Sequence, residues 1–140
     1  MSRVFWDTNL FIYLFENSGA FSKHVAGLRS RMLVRGDQLL TSAMTLGEVL
    51  VKPVQSGDSK AADYYQKLIT TTAVLLPFEE KAALVYARLR ADRSLRPPDA
   101  IQLACAASVG VDLFITNDVH LHSRRIPGIQ FIVPLERTPI

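Results

Sequence analysis

The sequence predicts an α/β fold, a three-layer α/β/α sandwich built around a five-stranded, mostly parallel sheet. Short apolar runs alternate along the chain with longer segments of helical periodicity, which is the pattern of repeated β-α units. The short runs are continuously apolar, as expected for strands that helices cover on both faces. No internal repeat, low-complexity tract or linker interrupts the 140 residues. We therefore expect one domain over residues 1–140.

Five short apolar segments are predicted as strands, each bounded by turn-forming or polar residues. The first ends at the polar cluster Asp7-Thr8-Asn9, the second follows the stop signal Gly36-Asp37, and the third is closed by Pro77. The predicted strands are residues 3–6, 38–41, 73–76, 112–115 and 130–133. In open parallel sheets, ligands bind beyond the carboxyl ends of such strands.

The segments between these strands are predicted as helices. Residues 20–35 place apolar side chains at spacings of three and four, and residues 79–93 begin with acids and end with arginines, as the helix dipole favours. Pro53 is expected to end or kink the helix that contains it. The predicted helices are residues 9–15, 20–35, 43–54, 60–71, 79–93, 99–109 and 118–124.

The composition predicts a globular protein, because 49% of the residues are hydrophobic and only 21% are charged. The net charge of +3 suits a nucleic-acid partner, although many small enzymes are equally basic. A single cysteine, Cys105, excludes an internal disulfide and fits a reducing compartment. No apolar run is long enough for a signal peptide or a membrane span, so a cytoplasmic location without membrane attachment is expected.

Four acidic residues stand where a predicted strand or loop runs into a predicted helix. Asp7 follows the first strand directly and Asp118 follows the fourth. Glu48 lies in the first turns of the helix after the second strand, and Asp99 follows Pro97-Pro98 at a helix start. Because the carboxyl ends of parallel strands share one edge of the sheet, we expect these carboxylates to converge there.

Converging carboxylates repel one another unless a hard divalent cation neutralises them. Mg²⁺ and Mn²⁺ prefer oxygen ligands, so Asp7, Glu48, Asp99 and Asp118 are the predicted metal ligands and catalytic residues. Such an ion would activate a water molecule and neutralise a scissile phosphate. No basic residue within these motifs offers a proton shuttle, so activated water is the expected nucleophile. Together these features predict metal-dependent cleavage of a phosphodiester.

Neutral hydrogen-bonding residues accompany two of the acids. We expect them to orient the carboxylates or the substrate phosphate, while ordinary turn chemistry is the alternative. These residues are Thr8, Asn9, Thr116 and Asn117.

Each acid also has a purely structural interpretation at a helix start. Asp7 would serve as a helix cap, and Thr45-Leu46-Gly47-Glu48 matches a capping box. Ser42 is a competing cap, which would free Glu48 to point into a site. Asp99 and Asp118 would likewise suit the first turn of a helix. The functional interpretation depends on all four acids together.

Other reactive residues have plainer explanations. His120 and His122 lack the further ligands of a zinc site and are interpreted as surface residues. Cys105 lies in an apolar helix and is expected to be a buried thiol. The arginines near the end of the fifth predicted helix are interpreted as a solvated cluster, although they would suit RNA phosphates. They are Arg88, Arg90, Arg93 and Arg96.

With these motifs in this order, the chain resembles the PIN-domain family, and most closely the VapC-type toxin ribonucleases of toxin–antitoxin systems. The resemblance runs from Val4 to about Pro134 and rests on Asp7-Thr8-Asn9, Glu48 in Ser42-Ala43-Met44-Thr45-Leu46-Gly47-Glu48, Asp99-Ala100, and Thr116-Asn117-Asp118. It implies a PIN-like sandwich and a Mg²⁺- or Mn²⁺-dependent endoribonuclease that uses the four acids. It also implies an RNA substrate, a homodimer, and inhibition by a small VapB-like antitoxin.

Competing interpretations differ at named positions. A phosphoacceptor receiver domain needs an aspartate at the end of the third strand, where this chain has Leu75-Leu76-Pro77. A haloacid-dehalogenase-type phosphatase needs Asp-x-Asp after the first strand, where this chain has Asp7-Thr8-Asn9. A non-catalytic PIN module that binds RNA or protein remains open, as does a PIN nuclease of RNA processing that has no antitoxin.

Overall fold

A computed structural model describes residues 1–17 and 19–140. Within these residues, five strands form a fully parallel sheet in the order β3-β2-β1-β4-β5. The strands are β1 (Arg3–Trp6), β2 (Gln38–Ser42), β3 (Val74–Leu76), β4 (Val111–Ile115) and β5 (Ile129–Val133). The chain winds outward from β1 to β3 and then returns to the other side of β1. The strand order therefore changes direction between β1 and β4, where open α/β sheets bind ligands.

Helices connect the strands and cover both faces of the sheet. The described part of the chain contains α1 (Thr8–Glu16), α2 (Gly19–Arg35), α3 (Ala43–Gln55), α4 (Ser59–Thr72), α5 (Glu80–Leu89) and α6 (Pro97–Val109), followed by a 3-10 turn at Leu135–Arg137. Pro53 lies inside α3, two residues before that helix ends. The five predicted strands are confirmed in position, as are the helices predicted over residues 9–15, 20–35, 43–54, 60–71 and 99–109. Within the described residues, no helix is both long and apolar enough to cross a membrane.

Two helix predictions, over residues 118–124 and 79–93, are wrong because polar side chains there bond to the local backbone and stabilise turns or loops. Residues 118–124 form turns rather than a helix. There the Asp118 carboxylate accepts from the His120 amide at 3.0 Å, and the Asp118 amide donates to the Thr116 hydroxyl at 3.0 Å. These side-chain hydrogen bonds compete with helical backbone pairing.

The helix predicted over residues 79–93 ends early, at Leu89. The residues beyond it form a loop in which the Asp92 carboxylate accepts from the Ser94 amide at 3.0 Å and from Arg124 Nη1 at 2.6 Å. The polar side chains at this end therefore stabilise a loop. The arginines that suggested a longer helix continue into this loop, beyond the last helical residue.

The core is divided between the two faces of the sheet. Alternate β1 side chains separate, so that Val4 and Trp6 pack in one cluster and Phe5 in the other. The first cluster includes residues of α1 to α4, and the second includes residues of α5 and α6. Phe5 stacks on Phe114 with ring centroids 4.9 Å apart. Burial on both faces explains the continuously apolar strands and confirms the three-layer α/β/α architecture.

Candidate active site

The four predicted acids line one pocket at the carboxyl edge of the sheet, where the strand order changes direction. The pocket has a volume of about 400 Å³ and is lined by Asp7, Thr8, Asn9, Ile12, Glu48, Arg96, Pro98, Asp99, Gln102 and Asp118. A larger cavity of about 580 Å³ lies beside β5, but no acidic residue lines it. Because phosphodiester chemistry depends on the convergence of suitable groups and not on size alone, the smaller pocket is the candidate active site.

Asp7 is held from both sides. Its Oδ1 accepts from the Thr8 amide at 2.7 Å, so that it caps α1, and its Oδ2 accepts from the Thr116 hydroxyl at 2.7 Å. Burial raises the pKa of Asp7, and the negative charges of Asp99 and Glu48 raise it further, against the two hydrogen bonds. The capping role and the pocket role therefore coexist in one side chain.

Glu48 is free of the capping role that its sequence context suggests. Ser42 caps α3 by accepting from the Thr45 amide at 3.4 Å, so the capping-box interpretation that begins at Thr45 is wrong. The Glu48 carboxylate instead accepts from the Thr8 hydroxyl at 2.6 Å. The second turn of α3 thus directs Glu48 toward the end of β1, where Asp7 stands.

A buried polar network under the pocket, which the sequence analysis missed, joins these residues. Gln102 on α6 is only 3% exposed, and its Nε2 donates to the hydroxyls of Thr8 at 3.0 Å and Thr45 at 2.8 Å. Its Oε1 accepts from the Ser42 hydroxyl at 2.5 Å. Gln102 therefore connects three elements and contacts Thr8, the residue that donates to Glu48. A long polar side chain between the apolar residues Ile101 and Leu103 is the sequence signal that points to it.

Asp99 and Asp118 enter the pocket from different elements and share one cation. Asp99 lies in the first turn of α6, and Asp118 lies in the turn after β4. Arg96 Nε stands 3.2 Å from Asp99 Oδ2, and Arg96 Nη2 stands 3.6 Å from Asp118 Oδ2. Arg96 is exposed as predicted, at 72% of its side chain, but it also contacts two of the pocket acids, which the interpretation as a solvated cluster did not include.

The four predicted neutral residues occupy different positions. Thr8 and Thr116 donate to the pocket acids, and Asn9 lines the pocket. Asn117 Oδ1 accepts from the Leu135 amide at 3.1 Å, so that it anchors the chain beyond β5. Cys105 is buried as expected, and this burial raises its pKa to about 11.

The carboxylates share the pocket without forming a ready ligand set. Across residues 1–17 and 19–140, no three acidic, histidine or cysteine side chains converge closely enough to hold a metal ion as they stand. Two of the four pocket acids are paired with Arg96, and a third accepts from Thr8. In this arrangement the carboxylates are directed to hydrogen-bond donors and to Arg96, and not to one common point.

A family model described as the PIN domain matches residues 4–126, and the chain belongs to that family. No curated protein gives a significant sequence match. Solved structures give the same fold. DNA-bound VapBC from Salmonella typhimurium has a TM-score of 0.72 at 22% identity, with 96% of this chain and 99% of that chain covered.

Two further structures extend this likeness. VapBC2 from Rickettsia felis, bound to a DNA fragment from its promoter, has a TM-score of 0.71 at 14% identity, covering 94% of this chain and 98% of that chain. VapBC-1 from nontypeable Haemophilus influenzae has a TM-score of 0.66 at 25% identity, covering 84% and 88%. Because their identities to this chain are below 25%, the Rickettsia and Salmonella structures show only that the fold is shared. The PIN-like architecture expected from the sequence is confirmed.

Proposed function

We propose that the protein is a Mg²⁺- or Mn²⁺-dependent endoribonuclease, formed by residues 1–140 as one domain and acting in the cytoplasm. The observation that carries this proposal is the meeting of Asp7, Glu48, Asp99 and Asp118 in one pocket. These residues come from four separate elements, and a shared packing role does not account for four carboxylates at one sheet edge. Membership of the PIN-domain family supports the same conclusion.

The pocket suits a hard divalent cation. All four acids offer oxygen ligands, which Mg²⁺ and Mn²⁺ prefer, and the raised pKa of Asp7 reflects burial together with the negative charges of Asp99 and Glu48. Asp7, Glu48, Asp99 and Asp118 would hold the ion once the latter two turn away from Arg96. When bound, such an ion lowers the pKa of a water molecule and neutralises charge on a phosphate.

The side chains of the protein prepare the pocket for this chemistry. Thr116 and the Thr8 amide fix both oxygens of Asp7, and the Thr8 hydroxyl fixes one oxygen of Glu48. The position of Thr8 is fixed in turn by Gln102. These hydrogen bonds orient two carboxylates before substrate binds, so that less reorganisation is required during the reaction.

An RNA cleavage assay tests the proposal directly. Asp7→Asn and Asp99→Asn should each abolish Mg²⁺- or Mn²⁺-dependent cleavage of single-stranded RNA, because each removes one ligand charge from the pocket. Asp63→Asn is the matched control, since Asp63 is exposed on α4 and lies outside the pocket. Full activity in both pocket variants would remove the proposed site. RNA binding without cleavage by the unmodified protein would favour a non-catalytic PIN module.

We also propose that the nuclease is the toxin of a toxin–antitoxin pair and works as a homodimer. The Salmonella, Rickettsia and Haemophilus relatives are VapBC assemblies by name. A groove of about 420 Å³ adjoins the pocket, shares Ile12 and Glu48 with it, and contains the apolar side chains of Phe15, Val49 and Tyr65. This groove suits a peptide of a VapB-like antitoxin that would reach the acids.

The toxin proposal predicts a short reading frame upstream of the gene, which encodes a DNA-binding protein. Co-expression should yield a complex in which RNA cleavage is inhibited. Light scattering of the nuclease alone should give twice the 15.6 kDa mass of the chain. Unaltered cleavage in the presence of that neighbour would leave a PIN nuclease of RNA processing as the better description.

A further inference from the structure

Arg96 is the only cationic side chain among the residues that line the acid pocket. It joins two acids that come from different elements, with Nε 3.2 Å from Asp99 and Nη2 3.6 Å from Asp118. The two carboxylates are about four-fifths buried, at 19% and 21% exposure, whereas the Arg96 side chain is 72% exposed. The guanidinium therefore covers these carboxylates from the solvent side of the pocket.

The loop that carries Arg96 is fixed by other side chains. Arg90 donates to the Leu95 carbonyl at 2.6 Å, and Arg124 donates to Asp92 at 2.6 Å. Leu95 itself is buried in the core at 2% exposure. Because these contacts hold the backbone in place, the Arg96 side chain is not needed to close the loop. An exposed ion pair of this kind is also weak, so it is readily exchanged for a stronger partner.

We propose that Arg96 is a built-in competitor of the divalent cation. It neutralises Asp99 and Asp118 while the pocket holds no ion, and it leaves them when an ion binds. The inference rests on the proposed function, because it assigns Asp99 and Asp118 as ligands of the ion. It also accounts for the side-chain arrangement, in which two of the four acids are directed to a guanidinium and not to one another.

The competition has a consequence for metal loading. Breaking the two Arg96 ion pairs costs free energy, and this cost weakens metal binding. The ion concentration at which half of the sites are occupied is therefore higher than it would be without Arg96. The ion binds Asp99 and Asp118 only after it displaces the guanidinium of Arg96. Arg96 thereby sets the metal concentration above which the nuclease is loaded.

The test measures Mn²⁺ binding by calorimetry, without RNA. Arg96→Gln should bind Mn²⁺ roughly three- to tenfold more tightly than the unmodified protein, because the ion no longer competes with a guanidinium. Arg93→Gln is the matched control, since Arg93 is exposed in the same loop and outside the pocket. It removes the same charge without breaking the pair, and should change the affinity less than twofold. Circular dichroism and the melting temperature establish that both variants are folded.

Asp99→Asn separates failure of this inference from failure of the proposed function. If Mn²⁺ binds the unmodified protein, is lost in Asp99→Asn, and binds Arg96→Gln no more tightly, the competition is refuted while the metal site stands. An equal gain in Arg93→Gln would also refute it, because the effect would then be general charge. If neither the unmodified protein nor Arg96→Gln binds Mn²⁺, the proposed metal site and the inference fail together.

Discussion

At the scale of single residues, Asp7 shows how one side chain can cap a helix and also line a pocket. Asp7 caps α1 and also accepts from Thr116 across the edge of the sheet. The sequence motif predicts both a cap and a site residue. The structure confirms the cap and places the carboxylate in the pocket, while the catalytic role stays a prediction. The motif does not predict the raised pKa of this carboxylate. Its burial and its proximity to Asp99 and Glu48 arise only in the folded chain.

Asp7→Asn is expected to raise the stability of the metal-free protein at pH 7. Burial, followed by the charges of Asp99 and Glu48, raises the pKa of Asp7 above its ordinary value of 3.8. The folded state therefore keeps its proton to higher pH than the unfolded chain, and stability falls as pH rises from 3.8 through the folded pKa. The asparagine variant avoids this loss. Urea unfolding at pH 7 measures the difference.

Repeating the unfolding at successively lower pH gives the second part of this test. The advantage of Asp7→Asn should shrink as pH falls through the folded pKa and vanish below 3.8, because Asp7 is then neutral in both states of the unmodified protein. Asp63→Asn, at an exposed position, should show no comparable gain. A less stable Asp7→Asn at pH 7 would mean that the hydrogen bonds to the charged carboxylate outweigh burial and repulsion.

At the scale of elements, hydrophobic patterns predict most of the helices and strands. They fail where side-chain hydrogen bonds to the backbone replace helical pairing. The buried and apolar segments were predicted well, because periodicity reports directly on which faces are covered. The helix predicted over residues 118–124 is wrong because Thr116 and Asp118 bond to nearby backbone amides. Such local competition depends on side-chain geometry that hydrophobic periodicity does not encode.

The Gln102 network shows a second limit at this scale. Ser42 caps α3, whereas Thr8 and Thr45 lie in the first turns of α1 and α3, and nothing in their local sequence requires the three hydroxyls to meet. Only the packing of α6 against β2 and α3 brings the Gln102 amide to all three hydroxyls. The sequence places Gln102 between the apolar residues Ile101 and Leu103, but its hydrogen-bond partners are fixed by tertiary contacts.

Gln102→Leu should lower the free energy of unfolding by about 2 kcal/mol, because buried hydroxyls lose their partners. It should also reduce RNA cleavage under the proposed function, since Thr8 would no longer be held where it donates to Glu48. Urea unfolding and the cleavage assay measure the two effects. Gln66→Leu on α4 is the matched control, because Gln66 is exposed, and a change within about 0.5 kcal/mol is expected there. Unchanged stability and cleavage in Gln102→Leu would show that the network is dispensable.

At the scale of the whole molecule, the parallel sheet is what brings the distant acids together. The sequence predicted five strands, a mostly parallel sheet and binding at its carboxyl edge, and the structure confirms the sheet. It did not predict the order β3-β2-β1-β4-β5, because strand order is decided by long-range packing. That order puts the ends of β1 and β4 side by side, so that Asp7 and Thr116 meet although 109 positions separate them.

Asp37 and Asp112 show why acid count alone does not define the site. Asp37 accepts from the Ser2 amide and is paired with Arg35 at 2.8 Å, and Asp112 accepts from the Arg3 amide. Both bond to residues at the start of β1, the opposite end of that strand from Asp7. Acids at the amino ends of the strands therefore bond to the backbone at the start of β1, whereas acids at the carboxyl ends line the pocket.

Mn²⁺ should raise the melting temperature of the folded protein, because an ion that binds only the folded state stabilises it by mass action. At a free concentration ten times its dissociation constant the gain is about 1.4 kcal/mol, which corresponds to roughly 4 °C for a chain of this length. Thermal unfolding followed by circular dichroism measures the shift. Asp99→Asn should lose it because one ligand charge is gone, whereas the exposed Asp63→Asn should keep it. An equal rise in Asp99→Asn would place the ion outside the acid pocket, and the four carboxylates would then need another explanation.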